Sequence, residues 1–452
     1  MTPGAQYQAA IDLLHSFDGA SGPLDRFFAD WARSHRFAGS KDRAKIKEIV
    51  YAIMRRRAEF AWHMGEETPR ALVLAELFFE QNVSLNVVAE LFSGRKYCPA
   101  PLTLKEIKCF SEIRRKRMDA GRDDDAVPDS LRFSFPEWLV GMLSIPEGST
   151  RHHELAALAG RAPVDLRVNG LKTDRESVLE SLKGQGIHAA PGAFSDLGVR
   201  LVKDKVSPYV NIRGTQIYKK GWVEIQDEAM QVASLLVGAG PRHQVLDLCA
   251  GSGGKSLALA ALMRNRGQII ACDTQERRLS QMKERLERAG VRNVQTRVIR
   301  ELDMSASDDP DFAQETNHFD RVLLDVPCSG SGVWRRQPDA KWALTPKRLD
   351  HLIALQRTIL SRAAPLVKPG GRLIYVTCSL LNSENGDQIS AFLGSHDDFS
   401  LLPLDEICRE TDRLRGGSLV EEANVEHSGT LLMTPGTTQT DGAYVAVLER
   451  RR

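Results

Sequence analysis

"QVLDLCAGSGGKSLALAALMRN", residues 244–265, joins an apolar, β-branched run to a Gly-rich turn and then to a stretch of helical character. The same alternation continues downstream. "QIIACD" (268–273), "NVQTRVI" (293–299), "FDRVLLDV" (319–326) and "GGRLIYVTC" (370–378) are apolar runs separated by helical segments, and "GAYVAVL" (442–448) reads as a last strand. Strand–helix order of this kind predicts an α/β domain with a mostly parallel, doubly wound Rossmann-like sheet. Ligands in such folds bind outside the carboxyl ends of the strands.

Upstream of residue 239 the pattern changes twice. Residues 1–140 read as helical: in "KDRAKIKEIVYAIMRRRAEF" (41–60), Ile46, Ile49, Val50, Ile53 and Met54 recur at helical spacing. Lys41, Arg43, Lys45, Lys47 and Arg55–Arg57 make this stretch basic, and "RRKR" (114–117) is a second cluster. A basic cluster is more often a solvated helix face; two of them shift the expectation modestly towards phosphate contact. "DAGRDDDAVPDS" (119–130) reads as a linker. Residues 141–238 read as a small α+β module, in which Val164, Leu166 and Val168 suit a half-buried strand with Arg167 and Asn169 on its other face. Residues 239–452 hold the alternating domain.

The bulk numbers exclude some classes. A net charge of only +2 over 452 residues does not by itself announce a nucleic-acid partner. The apolar run around residues 72–79 is far too short to cross a bilayer. The N-terminus, "MTPGAQYQAAIDLLHSF", lacks the basic start and apolar core of a secretion signal. Seven cysteines, at 98, 109, 249, 272, 328, 378 and 408, are odd in number, scattered and without CxxC pairs. That usage argues against a disulfide scaffold or a metal site and for reduced cytosolic thiols. The expected location is cytoplasmic, with no membrane partner.

Glycines 251, 253 and 254 of the turn suit a backbone that bends sharply and lets a ligand approach. Alone, such a turn is weak evidence. Asp273 adds to it, because a carboxylate ending the next strand can accept the hydroxyls of a ribose. A strand-end cap is the plainer role for Asp273. The combination favours a nucleoside-containing cofactor.

Two cysteines pose the sharper question. Cys328 follows the apolar run in "FDRVLLDVPCSGSGVWRRQPDAKW" (319–342), and Cys378 ends the run in "GGRLIYVTCSLLNSEN" (370–385). Structural thiols, a metal pair, a disulfide and covalent catalysis are all open on these residues alone. One chemistry that would use them is methylation at carbon 5 of cytosine. That carbon is a poor nucleophile until a thiolate adds to carbon 6; afterwards a base must take the proton on carbon 5 so that the thiolate can leave. Asp325, Cys328 and Cys378 offer a carboxylate and two thiols for such a site.

"LDLCAGSGGK", "DVPCSGSGVWRRQPDAKW", "YVTCSLLNSEN" and "TDGAYVAVLER" together resemble the Sun/Nop-type (RsmB-like) RNA (cytosine-5)-methyltransferases. The likeness extends upstream through "DLRVNG" and "VEIQDEAM" to "SKDRAKIKEIVYAIMRRR", which is similar to the NusB-like RNA-binding domain of bacterial members. It implies a class I methyltransferase fold behind an all-α NusB-like domain, with S-adenosylmethionine as cofactor. By motif, Cys378 is implied as nucleophile and Cys328 as the residue that releases product. Asp325 would contact the target cytosine and, with Lys255, line its pocket and border the cofactor. Cys249, Ala250, Gly251, Ser252, Gly253, Gly254 and Lys255 would cradle the methionine part of the cofactor, Asp273 its ribose, and Glu301 or Asp303 its adenine.

Three departures stand out. Gly251-Ser252 replaces the usual Ala-Pro, the adenine acid is ambiguous, and Ala443-Tyr444 replaces two aromatics. The expected activity is a monomeric enzyme making 5-methylcytosine in RNA, small-subunit ribosomal RNA above all. The base would have to be single-stranded or flipped to reach a thiol. A DNA cytosine-5 methyltransferase, in which the Pro-Cys thiol attacks, and a non-catalytic RNA-binding assembly factor are the rival readings.

Overall fold

The structure, a computed structural model, describes residues 1–18, 22–119, 127–145, 149–202, 210–300, 311–312, 314–411, 413–415, 419, 424–425 and 429–452. Its chain divides into two units. The first comprises Met1–Leu143, Glu147–Arg161 and Trp334–Leu344; the second comprises Ser144–Pro146, Ala162–Val333 and Thr345–Arg452. The segment Trp334–Leu344 is a surprise of the partition, since it continues the Cys328 motif in sequence.

The first unit is helical among the described residues: Pro3–Asp18, Leu24–Ser34, Ser40–Arg55, Arg57–Met64, Pro69–Ala75, Leu85–Leu91, Leu104–Asp119 and Ser149–Ala159 are its longer helices. Ile46, Ile49, Val50 and Ile53 lie on the buried face of Ser40–Arg55, as their spacing requires. Thr68 caps the helix after it, accepting from the Ala71 N–H at 3.2 Å, with Pro69 in the first turn where no N–H is needed.

Three cations of the first basic stretch are already paired. Lys47 reaches Asp25 at 2.7 Å, Arg56 reaches Glu59 at 2.6 Å, and Arg57 bridges Asp18 at 2.7 Å and Glu67 at 2.6 Å. Neighbouring acids from other helices and turns therefore neutralise these cations. The side chains of 114–117, the second basic cluster, lie outside the described residues.

The second unit holds two sheets. The smaller is built from β1 (Val164–Val168), β2 (Ala189–Pro191), β3 (Gly198–Leu201) and β4 (Val223–Ile225), in the order β2-β3-β1-β4. The expectation that β1 is half-buried is corrected: Leu166, Arg167, Val168 and Asn169 are all buried. Its polar face is covered by the larger sheet's connections. Arg167 donates to the Gly254 carbonyl at 2.8 Å and also to Gln226, and the Asn169 amide donates to the Gly221 and Ala289 carbonyls at 2.9 Å each. Burial pushes the Arg167 guanidinium down to about 10, against the pull of Glu224, so it stays charged at neutral pH.

The larger sheet contains β5 (Gln244–Asp247), β6 (Gln268–Asp273), β7 (Val294–Val298), β8 (Phe319–Asp325), β9 (Val367–Thr377), β10 (Phe399–Leu401), β11 (Asn424–Val425), β12 (Leu431–Met433) and β13 (Ala443–Arg450). Its order is β11-β12-β13-β9-β8-β5-β6-β7, with β10 against β13. The five strands from β9 to β7 are parallel, and β13 adds to β9 antiparallel. Strand order reverses at β5: β6 and β7 follow on one side, β8 and β9 on the other. The carboxyl ends of β5, β6, β8 and β9 thus surround the switch point where this class of sheet binds ligands.

Candidate active site

β5 ends at Asp247, and the turn after it carries Cys249–Gly253 into the helix Gly254–Leu262. Gly251 and Gly253 have φ of +57° and +82°, values an L side chain resists. Gly254 is not forced in this way: it opens a helix, and the nearest atom to a Cβ there is 3.7 Å away. Alanine would favour that helix by about 1 kcal/mol, so the missing side chain leaves an approach to the turn. Ser252, where Pro is usual, is held instead by Arg285, which donates to its carbonyl at 2.6 Å and its hydroxyl at 3.0 Å.

Asp273, at the end of β6, accepts the Gly251 N–H at 2.9 Å and the Gln275 N–H at 2.8 Å, one on each oxygen. It is a strand-end cap whose Oδ2 also lies 3.3 Å from the half-exposed Arg278 guanidinium, while Oδ1 keeps a further lone pair. A Gly-rich turn, an open Gly254 and a capped acid beside it fit a nucleoside cofactor. Glu301 and Asp303 lie outside the described residues.

Asp247 is fully buried; burial pushes its carboxyl up to about 7, and the Ser256 hydroxyl, donating at 2.6 Å, pulls the other way. Cys249 is also pushed up, first by burial and then by Asp247, Asp325 and Asp273. This third thiol near the site is thereby kept protonated and unreactive.

Across the switch point, Lys255 Nζ lies 2.6 Å from Asp325 Oδ2 and 3.2 Å from Met230 Sδ. Lys255 therefore joins the cofactor turn to the end of β8. Three residues on from Asp325, Cys328 Sγ lies 3.4 Å from Cys378 Sγ. That is a hydrogen-bond distance for sulfur and far from the roughly 2 Å of a disulfide. The Cys328 thiol is pushed well up, by the hydrogen bond with Cys378 first, then by burial, then by negative charge on Cys378 and Glu384.

Sequence reasoning missed what holds the thiols together. Ser329, Ser379 and Gln356 all donate to Glu384, and Gln356 also donates to the Pro327 carbonyl at 2.9 Å. Glu384 stands within "LNSEN", where a Glu among buried neighbours was the available signal; Gln356, on the helix Pro346–Ala363, offered none. The final Asp-Gly motif also has a local reason. A Cβ on Gly332 would sit 2.5 Å from the Gly442 Cα, so the loop after Cys328 and the start of β13 can approach only as glycines.

Comparisons with known proteins give the family and the fold. Residues 235–449 match the family described as 16S rRNA methyltransferase RsmB/F, and residues 135–206 match its ferredoxin-like domain. A probable ribosomal RNA small subunit methyltransferase B of Synechocystis is 33% identical over 73% of this chain and 69% of its own length. Ribosomal RNA small subunit methyltransferase B of Photorhabdus laumondii is 33% identical over 85% of this chain and 88% of its own. The solved NSun6 of Pyrococcus horikoshii, crystallised with the S-adenosylmethionine analogue SFG, shares the fold at a TM-score of 0.59 and 19% identity, covering 70% of this chain and 99% of that one. The chain belongs to the RsmB/F methyltransferase family, whose methyl donor is S-adenosylmethionine.

Proposed function

We propose that the protein methylates carbon 5 of a cytosine in small-subunit ribosomal RNA through a covalent adduct on Cys378. The observation that carries the proposal is the thiol pair, 3.4 Å apart, beside the Lys255–Asp325 ion pair at the switch point. Two adjacent thiols at hydrogen-bond distance with no disulfide suit a nucleophile and its helper better than two structural cysteines.

The steps follow from the residues. Cys378 adds as thiolate to carbon 6, and the displaced ring electrons make carbon 5 nucleophilic. Asp325, steadied by Lys255, accepts from the exocyclic amine and from ring nitrogen 3 once that atom is protonated. Cys249–Lys255 and Asp273 would hold S-adenosylmethionine, which when bound would supply the electrophilic methyl group for carbon 5, its sulfur keeping the bond pair as S-adenosylhomocysteine. Release then needs the carbon 5 proton to leave to a base. Its electron pair re-forms the 5,6 double bond, and the carbon–sulfur pair returns to Cys378. The Cys328 S–H can donate to the departing sulfur at that moment, which stabilises it as a thiolate.

A base inside a stacked helix cannot reach Cys378, so the substrate is an unstacked or flipped cytosine. Residues 1–140 and 141–238, acting as helical and α+β RNA-binding domains, select which one. The protein works as a cytoplasmic monomer in this reading. Mapping 5-methylcytosine in ribosomal RNA from cells with and without the protein tests it: one small-subunit cytosine loses its methyl group in the deletion strain. An unchanged small-subunit map with a lost methyl in DNA would instead favour the DNA enzyme.

A further inference from the structure

We infer that Glu384 is a positioning residue for the two-thiol reaction, clamping the Cys328 and Cys378 loops together so that Cys328 can release the product. This rests on the proposed two-thiol function. The geometry is a closed knot. Glu384 is completely buried, yet its carboxylate accepts from four donors. The Ser329 N–H at 2.8 Å and the Ser329 hydroxyl come from the residue after Cys328. The Ser379 hydroxyl comes from the residue after Cys378. The Gln356 amide, at 3.0 Å, spends its other proton on the carbonyl of Pro327, the residue before Cys328.

Further bonds fasten the clamp to the sheet. Ser331 Oγ accepts the Leu380 N–H at 2.7 Å, and Tyr375 on β9 donates to the Glu384 carbonyl at 2.6 Å. A buried carboxylate is tolerated only when its lone pairs are satisfied. Here every donor comes from a loop or helix that places a thiol, so folding energy is tied directly to the sulfur–sulfur distance.

The clamp also sets local charge. Among the causes that raise the Cys328 thiol, after its hydrogen bond to Cys378 and its burial, is the negative charge of Glu384. Removing that charge lets Cys328 lose its proton at lower pH, and with it the S–H that greets the leaving thiolate. Attack by Cys378 needs no such proton. Release should therefore suffer more than attack.

Glu384→Gln keeps the size of the side chain but puts an amide N–H₂ among donors. The expected result is a fall in kcat of about tenfold or more with KM for RNA changed by less than about threefold. The variant should accumulate a covalent RNA adduct on a denaturing gel, retain wild-type affinity for S-adenosylmethionine by calorimetry, and move the alkaline limb of its kcat–pH profile to lower pH. Glu384→Asp keeps the charge but loses reach, so it should turn over slowly with the alkaline limb in its original place. Equal loss of adduct formation and turnover, an unmoved pH profile in Glu384→Gln, or full activity in that variant would overturn the inference. Cys328→Ala run alongside separates the two levels. If it traps adduct and Glu384→Gln does not, only the clamp falls; if it traps none, the two-thiol reading falls first.

Discussion

The motif from Phe319 to Trp342 is split between two environments, and its halves treat buried charge in opposite ways. The first half, up to Val333, lies in the α/β unit and feeds donors to the carboxylate of Glu384, which is fully satisfied. The second, Trp334–Leu344, lies in the helical unit and buries the ammonium of Lys341. That ammonium donates to the Arg55 carbonyl at 3.0 Å and sits 4.7 Å from the Phe135 ring centre and 5.5 Å from that of Trp342. Burial, with Arg55 nearby, pushes Lys341 down to about 7. One half of the motif supplies donors to a satisfied buried carboxylate; the other buries a charge at an electrostatic cost.

The largest effects lie at the thiol pair that the first half helps to build, Cys328 within it and Cys378 facing it from the end of β9. Cys378→Ala should lower activity by at least about a thousandfold and form no adduct, as loss of a nucleophile does. Cys328→Ala should methylate once and stay bonded to its RNA, visible as a slow, RNase-sensitive band that requires S-adenosylmethionine. The reverse pattern would move the nucleophile to the Pro-Cys thiol, Cys328, inside the first half, and overturn the roles as described.

Cofactor binding comes next. Gly253 has φ of +82°, and a Cβ there would sit 2.5 Å from Met282 Cγ. Gly253→Val should weaken S-adenosylmethionine binding by at least about tenfold and destabilise the fold by about 1–3 kcal/mol from strain and overpacking. Unchanged affinity by calorimetry would displace the pocket from this turn.

The second half is tested by Lys341→Met. A lysine whose folded pKa is about 7 instead of 10.5 binds fewer protons folded than unfolded between those values. Stability therefore rises with pH across that window and is lowest at and below about pH 7. Lys341→Met should remove this slope, raising the melting temperature most near pH 7 and least near pH 10, while adduct formation persists. A gain that does not depend on pH, or a loss at pH 7, would show that the ammonium is better satisfied than its single carbonyl and two rings suggest.

The smallest effect is expected at Arg57, which is committed to Asp18 and Glu67. Arg57→Gln should leave the salt dependence of RNA binding unchanged and cost about 1 kcal/mol or less in stability. A slope shallower by about one charge would restore this cation to the phosphate-binding role its sequence suggested.

Much of the fold was legible because its signals are local. Hydrophobic runs of strand length, a Gly-rich turn after the first and helical spacing at Ile46, Ile49, Val50 and Ile53 need only neighbouring residues to be read. The cysteines, Asp325, Lys255 and Asp273 were legible as motif members for the same reason. Tertiary structure alone decided the rest. It brought Cys328 and Cys378, fifty residues apart in sequence, to 3.4 Å; it covered the polar face of β1; it paired Arg57 with Asp18 and Glu67; and it recruited Gln356 to a buried carboxylate. Whether a polar side chain faces water, a partner or a reacting centre depends on segments remote in the chain. Periodicity records which face of an element is apolar, while desolvation and hydrogen-bond satisfaction are properties of the packed assembly of elements.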